Sequence, residues 1–181
     1  MVVCKGFFDG DYIMKNILPK IKLGKYQEEK INISLSAFEV FKRLYPDCEN
    51  IFLLESLGEE GKYNRYSYIG FDPLFIISAK NNQIMIKNKV HKVGNPYAVL
   101  SAFSTLFEKK GTGEGYRGGL VGYFSHEATK YFEKAYVGYE NHDFPDFEFG
   151  FYIDGLRFDK KTQKCTYFYY GKSRMEKVMS L

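Results

Sequence analysis

Strand-length segments joined by turn residues make up most of this chain, and that rhythm limits what it can fold into. Residues 147–158 show it most clearly. Phe147, Phe149, Phe151 and Ile153 alternate with Glu148, Gly150, Tyr152 and Asp154, the period of two that a β-strand imposes. The Asp159-Lys160-Lys161-Thr162 turn leads from there into a last strand over 163–170. Ile51 to Leu54 is a continuous apolar run, which predicts a central, buried strand. Arg65 to Gly70 is strand-like, and a meander follows over 74–79, the Asn81-Asn82 turn, 83–88 and 89–93. Gly118 to Phe124 is a glycine-rich strand. Strands that outnumber helices and are linked as hairpins predict an α+β fold, with a mostly antiparallel two-sheet core and a few flanking helices.

The helices are marked by their ends. Ser36 and Glu39 form an S-x-x-E capping box, with Leu35 and Val40 placed as a hydrophobic staple. Ala37, Val40, Phe41 and Leu44 share one face, and Tyr45-Pro46 stops the helix, which therefore spans 36–45. Asn95-Pro96 opens a second helix over 96–109, with Asn95 as N-cap, Val99, Phe103 and Leu106 toward the core, and Gly111 closing it. Ser125 is placed to cap a short helix reaching Glu133. Ser173 to Leu181 begins another amphipathic helix and then stops, which fits a polypeptide that continues and equally an ordinary frayed tail. Residues 1–33 read as an irregular N-terminal arm with at most one strand, and 34–181 as one domain.

Composition removes several function classes. A chain of 181 residues with 45% hydrophobic and 27% charged residues is globular and large enough for a core. No run of about 18 apolar residues occurs, so no transmembrane helix is expected. The N-terminus lacks a charged region followed by an apolar run, so no secretory signal is expected and the setting is cytoplasmic. The net charge of +4 comes from scattered residues, which argues against a nucleic-acid partner. Cys4, Cys48 and Cys165 are far apart and form no C-x-x-C pair, so neither a disulfide framework nor a zinc site fits. Gly113 to Gly118 matches G-x-G-x-x-G, but a helix precedes it and a strand follows, the reverse of a dinucleotide fingerprint. His126-Glu127 does not complete H-E-x-x-H, because Lys130 holds the second ligand position. No catalytic residue is singled out.

One place does suggest binding. Leu53-Leu54-Glu55-Ser56 puts a carboxylate and a hydroxyl where an apolar strand emerges. Arg65 stands across the following loop. Glu55 can receive an ammonium, Arg65 a carboxylate, and Leu54 can floor an apolar group. Together these suit an amino acid; a plain strand end entering solvent is the other reading of the same residues.

Four segments in order resemble a known family: Phe52-Leu53-Leu54-Glu55-Ser56, Arg65-Tyr66-Ser67-Tyr68-Ile69-Gly70, Gly118-Gly119-Leu120-Val121-Gly122-Tyr123-Phe124-Ser125 leading to Tyr131-Phe132-Glu133, and Pro145-Asp146-Phe147-Glu148-Phe149-Gly150. From about residue 35 to 170 the chain resembles the N-terminal domain of anthranilate synthase component I, a lyase of tryptophan biosynthesis. The resemblance implies a full subunit that converts chorismate and ammonia to anthranilate and pyruvate with magnesium. A glutamine amidotransferase subunit supplies the ammonia. Catalytic residues and magnesium ligands would lie in a C-terminal chorismate-binding half, so this chain is expected to hold no metal or cofactor and to be inactive alone. The resemblance further implies that Leu54, Glu55 and Ser56, with Arg65 close by, bind L-tryptophan as a feedback inhibitor. Component I of aminodeoxychorismate synthase, on the folate route, shares the fold; Leu-Leu-Glu-Ser followed by Arg-Tyr-Ser-x-Ile-Gly leans toward the tryptophan enzyme. A free-standing, non-enzymatic amino-acid-binding module is the remaining alternative. The aromatic strands at 147–153 and 163–170 are expected to expose apolar surface and drive self-association into a homo-oligomer.

Overall fold

The structure, a computed structural model, describes residues 16–56, 58, 64–104, 115–133 and 143–179. Sequence readings at Cys4, Gly113, Glu114 and Leu181, in the 59–63 loop and in the helix beyond residue 104 lie outside these. Ten strands are described: β1 (Tyr26–Ile31), β2 (Ile51–Leu54), β3 (Tyr66–Phe71), β4 (Ile76–Lys80), β5 (Gln83–Ile86), β6 (Lys89–Lys92), β7 (Gly119–Phe124), β8 (Phe147–Tyr152), β9 (Asp154–Asp159) and β10 (Lys164–Tyr170). Three α-helices accompany them: α1 (Ala37–Leu44), α2 (Pro96–Ser104) and α3 (Met175–Met179). The strands form two five-stranded sheets, ordered β1-β10-β9-β3-β2 and β6-β5-β4-β8-β7, so the fold is α+β with two antiparallel sheets. No described helix is long and apolar enough to cross a membrane.

The chain divides into two compact units. One comprises residues 22–75, 110–121 and 150–181 and contains the first sheet. Ile69 and Phe71 of β3, Leu156 of β9 and Tyr167 of β10 point to one face of that sheet and are fully buried. Helix α1 covers the face with Val40 and Leu44. Its start is fixed locally: Glu39 N–H donates to Ser36 Oγ at 3.2 Å, and Ser36 N–H donates to Glu39 Oε2 at 2.8 Å, the reciprocal capping box. Helix α3 is a single turn, opened by Met175 N–H donating to Ser173 Oγ at 3.1 Å.

The other unit comprises residues 1–21, 76–109 and 122–149. Asn81 and Asn82 take φ of 48° and 59°, and Lys87 and Asn88 take 49° and 62°. Two successive positive φ values give the hairpin turn that matches strand twist. The second turn ends β5 at Ile86 rather than 88, because Lys87 adopts a conformation its composition does not advertise. In α2, Val99 and Phe103 are fully buried, and Tyr97 N–H donates to Asn95 Oδ1 at 2.9 Å.

Four expectations are corrected. β2 is an edge strand of its sheet, not a central one, and Leu54 is 44% exposed. Its apolar run reflects cover on both faces: Ile51 and Leu53 pack on the core cluster, while Phe52 meets Tyr152 and Tyr116 edge-to-face at 4.8 and 5.8 Å. Residues 147–158 are two strands that break at Ile153 and enter different sheets. Asp154, the first residue of the second strand, is 1% exposed. Tyr167, Phe168, Tyr169 and Tyr170 are buried because both faces of β10 are covered, Tyr167 and Tyr169 lying in the core cluster and Phe168 and Tyr170 meeting Tyr116 and Tyr26, so this run exposes no aromatic surface. Ser125 precedes a 3₁₀ helix, His126–Tyr131, without capping it through its hydroxyl.

Candidate functional site

Register builds the site. Leu54 of β2 pairs with Tyr68 of β3, so one step along Glu55 falls opposite Ser67. Ser67 pairs with Phe158 of β9, and Phe158 with Cys165 of β10. Glu55, Ser67, Phe158 and Cys165 thus form one row across the face that carries the core. With the segment leading into α1, which includes Ile33 and Leu35, this row lines a cavity of about 740 Å³, within the size range of small-molecule pockets.

The polar groups at the cavity are organised around Glu55. Ser67 Oγ donates to Glu55 Oε1 at 2.7 Å, and Lys160 Nζ stands 3.6 Å from the same oxygen. The Glu55 and Lys160 side chains are 28% and 26% exposed. Lys160 is positioned twice: its N–H donates to Arg65 O at 2.9 Å, and its Nζ to Ser56 O at 2.7 Å. Arg65 grips Asp159 with Nε at 3.0 Å and Nη2 at 2.6 Å. Those hydrogen bonds, with others from Thr162 and Lys161, hold the Asp159 carboxyl down at about 2. Burial pushes the Cys165 thiol up to about 12, so it lines the cavity as a neutral group. An anion and a cation side by side, in a cavity that Ile33, Leu35 and Phe158 also line, can hold a small zwitterion with an apolar substituent. Among the described residues, no group of three His, Cys, Asp or Glu side chains is arranged to hold a metal ion.

No protein-family model matches the chain. Anthranilate synthase component 1 of Methanothermobacter marburgensis is 36% identical over 170 residues, covering 92% of this chain and 36% of that protein. Its counterpart of the same name in Leptospira biflexa is 35% identical over 168 residues, covering 91% of this chain and 36% of that protein. This chain is homologous to part of anthranilate synthase component I. It spans little more than a third of those relatives, 36% in each case. The crystal structure of anthranilate synthase component I from Streptococcus pneumoniae TIGR4 aligns with a TM-score of 0.49 at 18% identity, over 77% of this chain and 30% of that one.

The four residues singled out from the anthranilate synthase resemblance do not share one environment. Glu55 lines the cavity. Leu54 is exposed at the sheet edge, and Ser56 turns its hydroxyl to donate to Asn64 Oδ1 at 2.8 Å. Arg65 is bound to Asp159. Lys160 was not singled out, because it reads as one of several turn lysines. It reaches Ser56 from 104 positions away, and no local pattern reports a contact of that separation.

Proposed function

We propose that this chain is the tryptophan-binding, feedback-regulatory part of an anthranilate synthase component I. The observation that carries the reading is the Leu-Leu-Glu-Ser strand end, whose Glu55 carboxylate lies beside Lys160 at a cavity of ligand size. Two features of the chain support it: homology to anthranilate synthase component 1 over 92% of its length, and an apolar wall at Ile33, Leu35 and Phe158 able to take an indole. Chorismate chemistry, magnesium and the ammonia delivered by a glutamine amidotransferase partner belong, on this reading, to the two thirds of the relatives that the chain does not span. A cytoplasmic setting goes with it.

Nuclear magnetic resonance titration with tryptophan and with phenylalanine tests the proposal. Shifts should centre on Glu55, Ser67 and Lys160 and be larger for tryptophan. Glu55→Ala should weaken binding about tenfold to a hundredfold, the loss of one charge-assisted hydrogen bond. Equal response to both ligands, or shifts confined to the other compact unit, would remove tryptophan as the ligand.

A further inference from the structure

We infer that Lys160 is the carboxylate receptor of this site, and that Lys160 and Glu55 together select free α-amino acids by holding both charged ends. The inference rests on the reading of the cavity as a tryptophan site and adds the chemistry of recognition to it. Arg65, the cation nearest in sequence, is engaged in a two-bond pair with Asp159. Lys160 is instead the cation that stands against Glu55.

The geometry leaves both groups with capacity. An ammonium has three donors. Lys160 gives one to Ser56 O at 2.7 Å and turns toward Glu55 at 3.6 Å, a separation too long for a hydrogen bond. Ser67 and Lys160 both approach Glu55 at Oε1, so Oε2 is the oxygen a ligand ammonium would meet. The two charged groups of an α-amino acid are attached to one carbon. They can therefore meet neighbouring opposite charges at once, replacing a loose ion pair with two charge-assisted hydrogen bonds. Contacts to the Ser56 carbonyl and the Arg65 carbonyl hold Lys160 in place before any ligand arrives, which lowers the ordering cost of binding.

Ligands lacking one end separate the roles: tryptamine has no carboxylate, and indole-3-propionate has no ammonium. The chain contains no tryptophan, so indole fluorescence reports the ligand alone. The full chain should bind L-tryptophan at least about tenfold more tightly than either analogue. Lys160→Met should cost tryptophan about tenfold and leave tryptamine unchanged. Glu55→Gln should weaken tryptophan and tryptamine and leave indole-3-propionate unchanged. Lys160→Arg should recover part of the loss. Lys172→Met, at an exposed lysine away from the cavity lining, should change nothing. Circular dichroism and the thermal midpoint of each variant establish that it is folded. Tryptophan binding with Lys160→Met weakening tryptophan and tryptamine equally, or neither, would overturn this inference and leave the tryptophan reading standing. Failure of all three ligands to bind the unsubstituted chain would overturn both.

Discussion

Replacing Arg174 by methionine should cost far more stability than a residue one third exposed suggests. The Asp154 side chain is 2% exposed and that of Arg174 36%. Asp154 Oδ2 accepts from Tyr167 Oη and from Arg174 Nε, each at 2.8 Å, and Oδ1 accepts from Arg174 Nη2. Arg174 also donates to the carbonyls of Phe71 and Asp72 at 3.1 Å each. Methionine keeps an apolar stem of similar length but removes the charge. It leaves a carboxylate in the core with the Tyr167 hydroxyl as its donor, at a cost of about 3–5 kcal/mol. Asp154→Asn should cost less, about 1–2 kcal/mol, because the abandoned guanidinium is the exposed partner and can turn to water. The double variant should recover at least half of the Arg174→Met loss, since the uncompensated buried charge is gone. Urea unfolding of the four proteins, followed by tyrosine fluorescence and circular dichroism, measures the cycle. A loss below about 1 kcal/mol for Arg174→Met, or a double variant no better than the single one, would show that water reaches the carboxylate and that the buried-charge argument is wrong.

The Arg65–Asp159 pair predicts an acid limb. Because the folded-state Asp159 carboxyl is held at about 2, below its ordinary value, its contribution is complete above about pH 4 and is lost as pH falls toward 2. With Arg65 partly exposed, the contribution is about 1 kcal/mol, and Arg65→Leu should flatten that part of the stability–pH curve; an unchanged curve would count against the pair. Gly155→Ala should destabilise by about 1–3 kcal/mol, because a Cβ there would run into the Ile69 carbonyl oxygen and lie 2.9 Å from the Phe168 ring. Thermal denaturation reads this loss, and an unshifted midpoint would contradict the packing. Supplied with chorismate, ammonia and magnesium, the chain alone should produce no anthranilate fluorescence above background; turnover by a clean preparation would place catalytic groups within it.

What could be read in advance divides by the range of the interaction. Helix α1 was legible because the Ser36–Glu39 box closes over three residues. The Asn81-Asn82 turn was legible because both residues tolerate positive φ. The break at Ile153 was not. Alternation reports that faces are buried, not against which sheet, and β8 and β9 alternate alike while pairing with different neighbours. An edge strand covered on both faces by Ile51, Phe52 and Leu53 likewise gives the same letters as a central one.

The candidate site mixes both ranges, which explains why half of it escaped. Glu55 stands out because a carboxylate directly after four apolar residues breaks a local pattern. Lys160 breaks none, since lysine is ordinary in a hairpin turn. Its role comes from strand order: β9 pairs with β3, and β3 with β2, which brings the turn after β9 to the end of β2. Arg65 was the reasonable candidate on proximity in sequence, but the same pairing sets Tyr66 opposite Asp159 and hands Asp159 to the arginine beside it. Once that carboxylate holds Arg65, the next residue along the hairpin is the cation left facing Glu55. The charge pairing at this site therefore follows from sheet register rather than from the spacing of charged residues along the chain.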